Sequence, residues 1–91
     1  MKDTIYKYAL NSMFTRIMLP NNAEILCVKM QDDVPQMWVL LDTKDIKKRM
    51  RSFVIVGTGE KRVIDNMKYI DTYEEGFYIW HVFEELNEQV R

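Results

Sequence analysis

The sequence predicts a mainly β protein, a single small antiparallel barrel or strongly curved sheet of six to seven strands with short helical turns. Three observations carry this expectation. Runs of six to eight residues alternate side chains between two faces, and β-branched and aromatic types fill them. Turn-forming residues separate the runs at Pro20-Asn21-Asn22, Asp32-Asp33-Val34-Pro35, Gly57-Thr58-Gly59 and Glu75-Gly76. No stretch has the length and period of a helix able to anchor a layer.

Taken in order, residues 4–10 (TIYKYAL) and 14–19 (FTRIML) are strand-like with weak alternation. Residues 24–31 (EILCVKMQ) place Leu26, Val28 and Met30 on one face and Ile25, Cys27, Lys29 and Gln31 on the other. Residues 36–42 (QMWVLLD) send Met37, Val39 and Leu41 one way and Trp38 and Leu40 the other. Apolar on both faces, this strand is expected at the centre of a sheet, paired with 24–31 as a hairpin across DDVP. Residues 51–56 (RSFVIV) form a further strand that ends at a glycine pair. Residues 67–73 (MKYIDTY) and 77–84 (FYIWHVFE) form a second hairpin, with Phe77, Ile79, His81 and Phe83 opposite Tyr78, Trp80 and Val82. Helical turns are expected at 43–50 under a Thr43 cap, at 60–66 and at 83–90.

The chain has 91 residues, 47% hydrophobic and 30% charged, with three Gly, two Pro, no repeat and no linker, and is read as one domain, 1–91. One cysteine, Cys27, excludes an internal disulfide, and with one histidine it cannot build a Cys/His zinc site without carboxylates. No apolar run reaches the roughly 20 residues that span a bilayer, and MKDTIYKYAL lacks a signal-peptide pattern, so a reducing cytoplasm and no membrane contact are expected.

A net charge of −1 argues against nucleic acid as a partner held by bulk electrostatics, but the charge is unevenly spread. Lys44, Lys47, Lys48, Arg49, Arg51, Lys61 and Arg62 face two acids within 44–62. Six acids between Asp71 and Glu88 face only Arg91. Such polarity steers anions to one region or lets copies meet head to tail.

No catalytic constellation is visible. Gly57-Thr58-Gly59-Glu60-Lys61-Arg62 follows a strand as phosphate loops do, but lacks the GxxxxGK[ST] and GxGxxG patterns. Cys27 and His81 have no orienting third group, and the paired carboxylates fall in turns or at an exposed end, where adjacent side chains diverge. No metal and no cofactor are expected. The residues expected to bind a ligand are Arg49, Arg51, Lys61 and Arg62 for phosphates, Thr58 for a hydrogen bond, and Trp38 or Trp80 for stacking, with His81 facing either the core or that site.

Several segments in series carry a resemblance: Met18-Leu19-Pro20, Ala23-Glu24-Ile25-Leu26-Cys27-Val28, Met37-Trp38-Val39-Leu40-Leu41-Asp42, Phe53-Val54-Ile55-Val56-Gly57-Thr58-Gly59, Tyr69-Ile70-Asp71-Thr72 and Ile79-Trp80-His81-Val82-Phe83-Glu84. Across residues 5–84 the chain resembles a family of small tailed-phage and prophage proteins of unknown function, departing from its pattern at Asp71, where that family has glycine. The resemblance implies a phage-encoded accessory protein in the bacterial cytoplasm and supplies no catalytic residues. The expected function is therefore non-enzymatic and stoichiometric: inhibition of host defence by sequestering an anionic nucleotide signal or by blocking a host protein. The alternative is a homo-oligomeric structural or virion-associated protein with no small-molecule ligand.

Overall fold

The computed structural model describes residues 1–86 and contains seven strands: β1 (Thr4–Ala9), β2 (Phe14–Pro20), β3 (Glu24–Gln31), β4 (Val34–Leu41), β5 (Lys48–Gly57), β6 (Met67–Glu75) and β7 (Tyr78–Glu85). They form two antiparallel sheets, a three-stranded one in the order β1-β4-β3 and a four-stranded one in the order β2-β5-β7-β6. The mainly β reading holds, and the barrel or strongly curved single sheet does not: neither sheet closes. No helix occurs among the described residues. The segment expected to coil at 43–50 is a turn leading into β5, 60–66 is irregular, and Phe83–Glu85 continue β7. The remainder of the expected C-terminal helix, and Glu88 and Arg91 of the charge map, lie outside the described residues.

The reason the sheets stay open lies where β3 and β6 run side by side. Each of these edges carries a register shift, between Ile25 and Cys27 in β3 and between Tyr69 and Asp71 in β6. A bulge twists an edge and interrupts its ladder. In place of a backbone bridge, Asp71 Oδ2 accepts the Val28 N–H at 2.8 Å while Oδ1 accepts the Thr72 N–H at 2.8 Å. A carboxylate thus satisfies the edge donor and clips one sheet to the other. The β3 shift also corrects the expected face pattern. Ile25, Val28 and Met30 turn toward the core, and Leu26 is left exposed.

The hairpin turns follow from the sequence. Asp32 and Asp33 have φ of 55° and 66° between the paired residues Gln31 and Val34, the primed two-residue turn that suits strand twist. Pro35 lies inside β4, paired with Met30, beside the residue at which β1 ends. Gly76, at φ 60°, and Phe77 form the β6–β7 turn between paired Glu75 and Tyr78. Only the first central residue has positive φ, as a type II′ turn requires.

One core fills the space between the sheets. Leu10, Leu19, Val28, Met37, Val39, Leu41, Phe53, Ile55, Tyr73 and Val82 are buried together, with Trp80 packed against them. β4 is an interior strand, as its two-sided apolar sequence predicts, and β5 is interior as well. β5 is buried from Arg51 to Val56. Because β5 and β6 are both antiparallel to β7, they are parallel to each other, and segment 58–66 must return along the sheet.

One ion pair is built into this interior. Arg51 is 7% exposed and Glu84 4%. Arg51 Nε donates to Glu84 Oε2 at 2.6 Å and Nη2 to Oε1 at 2.8 Å, while Nη1 donates to the Ala23 carbonyl at 2.7 Å. Three chain segments meet at one guanidinium, whose planar fork matches the carboxylate.

Removing either partner leaves an unpaired buried charge. Arg51→Met or Glu84→Gln is expected to cost about 3–5 kcal/mol in urea unfolding, and Arg51→Met with Glu84→Leu together to recover most of that loss. Burial, and secondarily the Glu75 charge, pushes the Tyr73 hydroxyl up to about 12. An unfolded tyrosine ionises near pH 10, so the contribution from Tyr73 is fully present below about pH 10 and is lost as pH rises to about 12. Urea titrations at alkaline pH are expected to show this loss in the native chain and not in Tyr73→Phe.

Candidate functional site

β5 and β7 pair so that the glycine loop after β5 sits beside the tip of the β6–β7 hairpin, with Gly57 opposite Trp80. A Cβ at Gly57 would lie 3.1 Å from Trp80 Cζ3, closer than ordinary van der Waals contact. The Trp80 indole N–H donates to Glu75 Oε1 at 3.0 Å, and the Tyr78 ring lies 6.0 Å from it at 30°. Phe77, in the turn, is fully exposed, and Tyr78 is 67% exposed. Gly57, Thr58, Phe77, Tyr78, Ile79 and Trp80 line a cleft of about 320 Å³. Aromatic rings at a turn, where they bury nothing of their own fold, are available to another molecule.

Below the cleft runs a chain of hydrogen bonds. Thr58 Oγ1 lies 3.0 Å from the Ile79 carbonyl, which can only accept, and 2.8 Å from His81 Nε2. The Thr58 proton is therefore directed to Ile79, and His81 donates from Nε2. In the neutral ring Nδ1 then accepts from Thr72 Oγ1 at 3.0 Å, and Thr72 accepts in turn from the Tyr69 hydroxyl at 2.6 Å. Both nitrogens of the only histidine are engaged. The arrangement orients groups and offers neither a nucleophile nor an oxyanion site.

The residues singled out from sequence divide into separate groups. Thr58, Trp80 and His81 lie at this end of the sheet, Trp80 on the core-facing side of β7 and His81, bonded to Thr58, on the opposite side, and Lys61 and Arg62 follow Thr58 on the same loop. Arg62 is neutralised by Glu60 at 2.8 Å. The Gly57 N–H, and secondarily Arg62, hold the Glu60 carboxyl below its usual range. Arg49 is exposed near the other end of β5, on the order of 25 Å away at ~3.3 Å per residue. Arg51 is inside the fold with Glu84. Trp38 belongs to the other sheet, half-buried on its outward face between Lys7 and Cys27. No single small ligand reaches all of these positions. Sequence reading missed Phe77 and Tyr78 as a tip, having placed Phe77 in the strand; the signal was Gly76, which makes the next residue part of the turn.

Among the described residues, no group of three or more His, Cys, Asp or Glu is placed to hold a metal ion, and no helix is long and apolar enough to cross a membrane.

The hydrogen-bond pattern fixes a tautomer. Long-range ¹H–¹⁵N spectra of the neutral side chain are expected to show the His81 proton on Nε2, and Thr58→Val to abolish that preference. A proton found on Nδ1 contradicts the chain as described.

A family model described as a domain of unknown function (DUF7352) matches residues 1–91, and the chain belongs to that family. No curated protein and no solved structure gives a significant match.

Proposed function

We propose that this chain is a non-enzymatic accessory protein that acts by stoichiometric binding, meeting a protein partner through the aromatic end of its four-stranded sheet. The observation that carries the reading is the fully exposed Phe77 beside Tyr78, at the mouth of the cleft formed with Ile79 and Trp80. Aromatic anchors of this kind dominate binding energy at protein interfaces. The hairpin tip is held by its two-residue turn and by the Trp80–Glu75 hydrogen bond, so little ordering opposes contact.

Charge favours a protein over a polyanionic small molecule. On the loop that carries Thr58, only Lys61 lacks an acidic partner among the described residues, since Arg62 is paired with Glu60. The setting is part of the same proposal: a phage-encoded protein in the bacterial cytoplasm, supported by the resemblance over residues 5–84.

Purified chain presented to host extract is expected to retain a defined partner, and Phe77→Ala with Tyr78→Ala to weaken that complex by about 30-fold or more while leaving urea unfolding unchanged. Equal retention by the variant, or no partner at all, overturns the reading. If sedimentation instead shows a dimer that the same substitutions dissociate, the partner is a second copy.

A further inference from the structure

A second cavity, of about 390 Å³, opens at the seam of the two sheets, where the start of β3 meets the start of β6. Lys2, Asn22, Glu24, Arg51, Lys68 and Tyr69 are among its lining residues. Residues distant in sequence meet here because the β2–β3 turn, β5 and β6 converge at this end. The cavity does not involve the aromatic tip.

Three cations border it. Arg51 is more than nine-tenths buried, and its bonds to Glu84 and Ala23 use three of the five guanidinium protons, leaving one on Nη1 and one on Nη2 without a protein acceptor. Lys68 is exposed and has no acidic partner within ion-pair distance among the described residues. Lys2 approaches Glu24 only at 3.6 Å, with both side chains open to solvent. Against Lys2, Arg51 and Lys68 stand Glu24 and Glu84, so one positive charge is left uncompensated. The Asn22 amide adds a neutral donor.

We propose that this seam cavity is a binding site for a small oxyanion, a carboxylate or phosphate group, held by the spare Arg51 protons from within and by Lys68 and Lys2 at the mouth. A guanidinium already fixed by Glu84 loses no side-chain freedom when it takes a further acceptor, and its burial limits screening. The volume lies at the lower end of ordinary ligand pockets, and the single excess charge suits one anionic group rather than a polyphosphate. A bound anion would also tie Arg51 and Lys68 of the four-stranded sheet to Lys2, just before β1 of the other sheet, and so stabilise the fold.

The test titrates the intact chain with inorganic phosphate and, separately, with succinate, each against sodium chloride of equal ionic strength. The backbone amides of Asn22, Lys68 and Ile70 are followed by NMR, and thermal unfolding is measured in parallel. Saturable shifts at those amides with a raised Tm are expected for one or both anions, and the tighter one identifies the class. Lys68→Ala and Lys2→Ala, which spare the buried pair, are each expected to weaken binding about tenfold while leaving the anion-free Tm unchanged. Shifts no larger than those in chloride, shifts confined to the exposed lysines of 44–48, or unaltered affinity in both variants would overturn the assignment. A partner lost through Phe77→Ala and Tyr78→Ala leaves these outcomes untouched, so the two proposals fail separately.

Discussion

The fold depends on one buried charge finding its partner. Arg51 lies on β5, Glu84 on β7, and the third acceptor, the Ala23 carbonyl, just before β3. A guanidinium taken from water costs several kcal/mol unless its donors are met, and the bidentate contact with Glu84 meets the two that point along the sheet. The bond to Ala23 reaches out of the four-stranded sheet toward the other. Register between β5 and β7, and the position of the β2–β3 turn, are therefore set together. A one-residue slip would move Arg51 to the outward face and put Ser52 in its place.

The second constraint is at the seam. An edge strand exposes donors that invite pairing, and two facing edges would ordinarily zip into one sheet. Here both are bulged, and Asp71 caps the Val28 N–H. The free edge of β2 is blunted in its own way. Ser12 Oγ donates to the Phe14 carbonyl and accepts the Phe14 N–H, and the strand ends at Pro20, which has no N–H to offer. β3 and β6 face each other and both ends of β2 are blunted, which leaves β1 as the open edge of the three-stranded sheet. The aromatic tip, by contrast, presents side chains rather than backbone donors to solvent.

These two constraints explain how far the sequence could be read. Alternation and turn chemistry are local, so the strands, both hairpins and the central placement of Met37–Leu41 were legible. Which strands pair at long range was not. Nothing in the residues around Phe14 says that β2 pairs with β5 while β1 pairs with β4, and a bulge is invisible in a run such as EILCVKMQ, where Ile25 and Leu26 offer an apolar residue to either face. Closure into a barrel was the natural expectation for six or seven alternating runs, and two bulges and one aspartate undo it.

The candidate site divides along the same line. Thr58, Trp80 and His81 were found together because strand and turn positions alone bring them to one end. Arg51 was assigned to phosphate because a charge in a basic run reads as solvated, and its partner lies 33 residues away in an acidic run that also reads as solvated. The polarity of the sequence is thus partly cancelled inside the molecule. What survives is two ends with different chemistry, one aromatic and nearly neutral, one cationic and gathered around a buried guanidinium. Lys2 and Lys68 join the second end only through the fold, since neither lies within the basic run of the sequence. β5 connects the two ends, buried without a break from Arg51 to Val56.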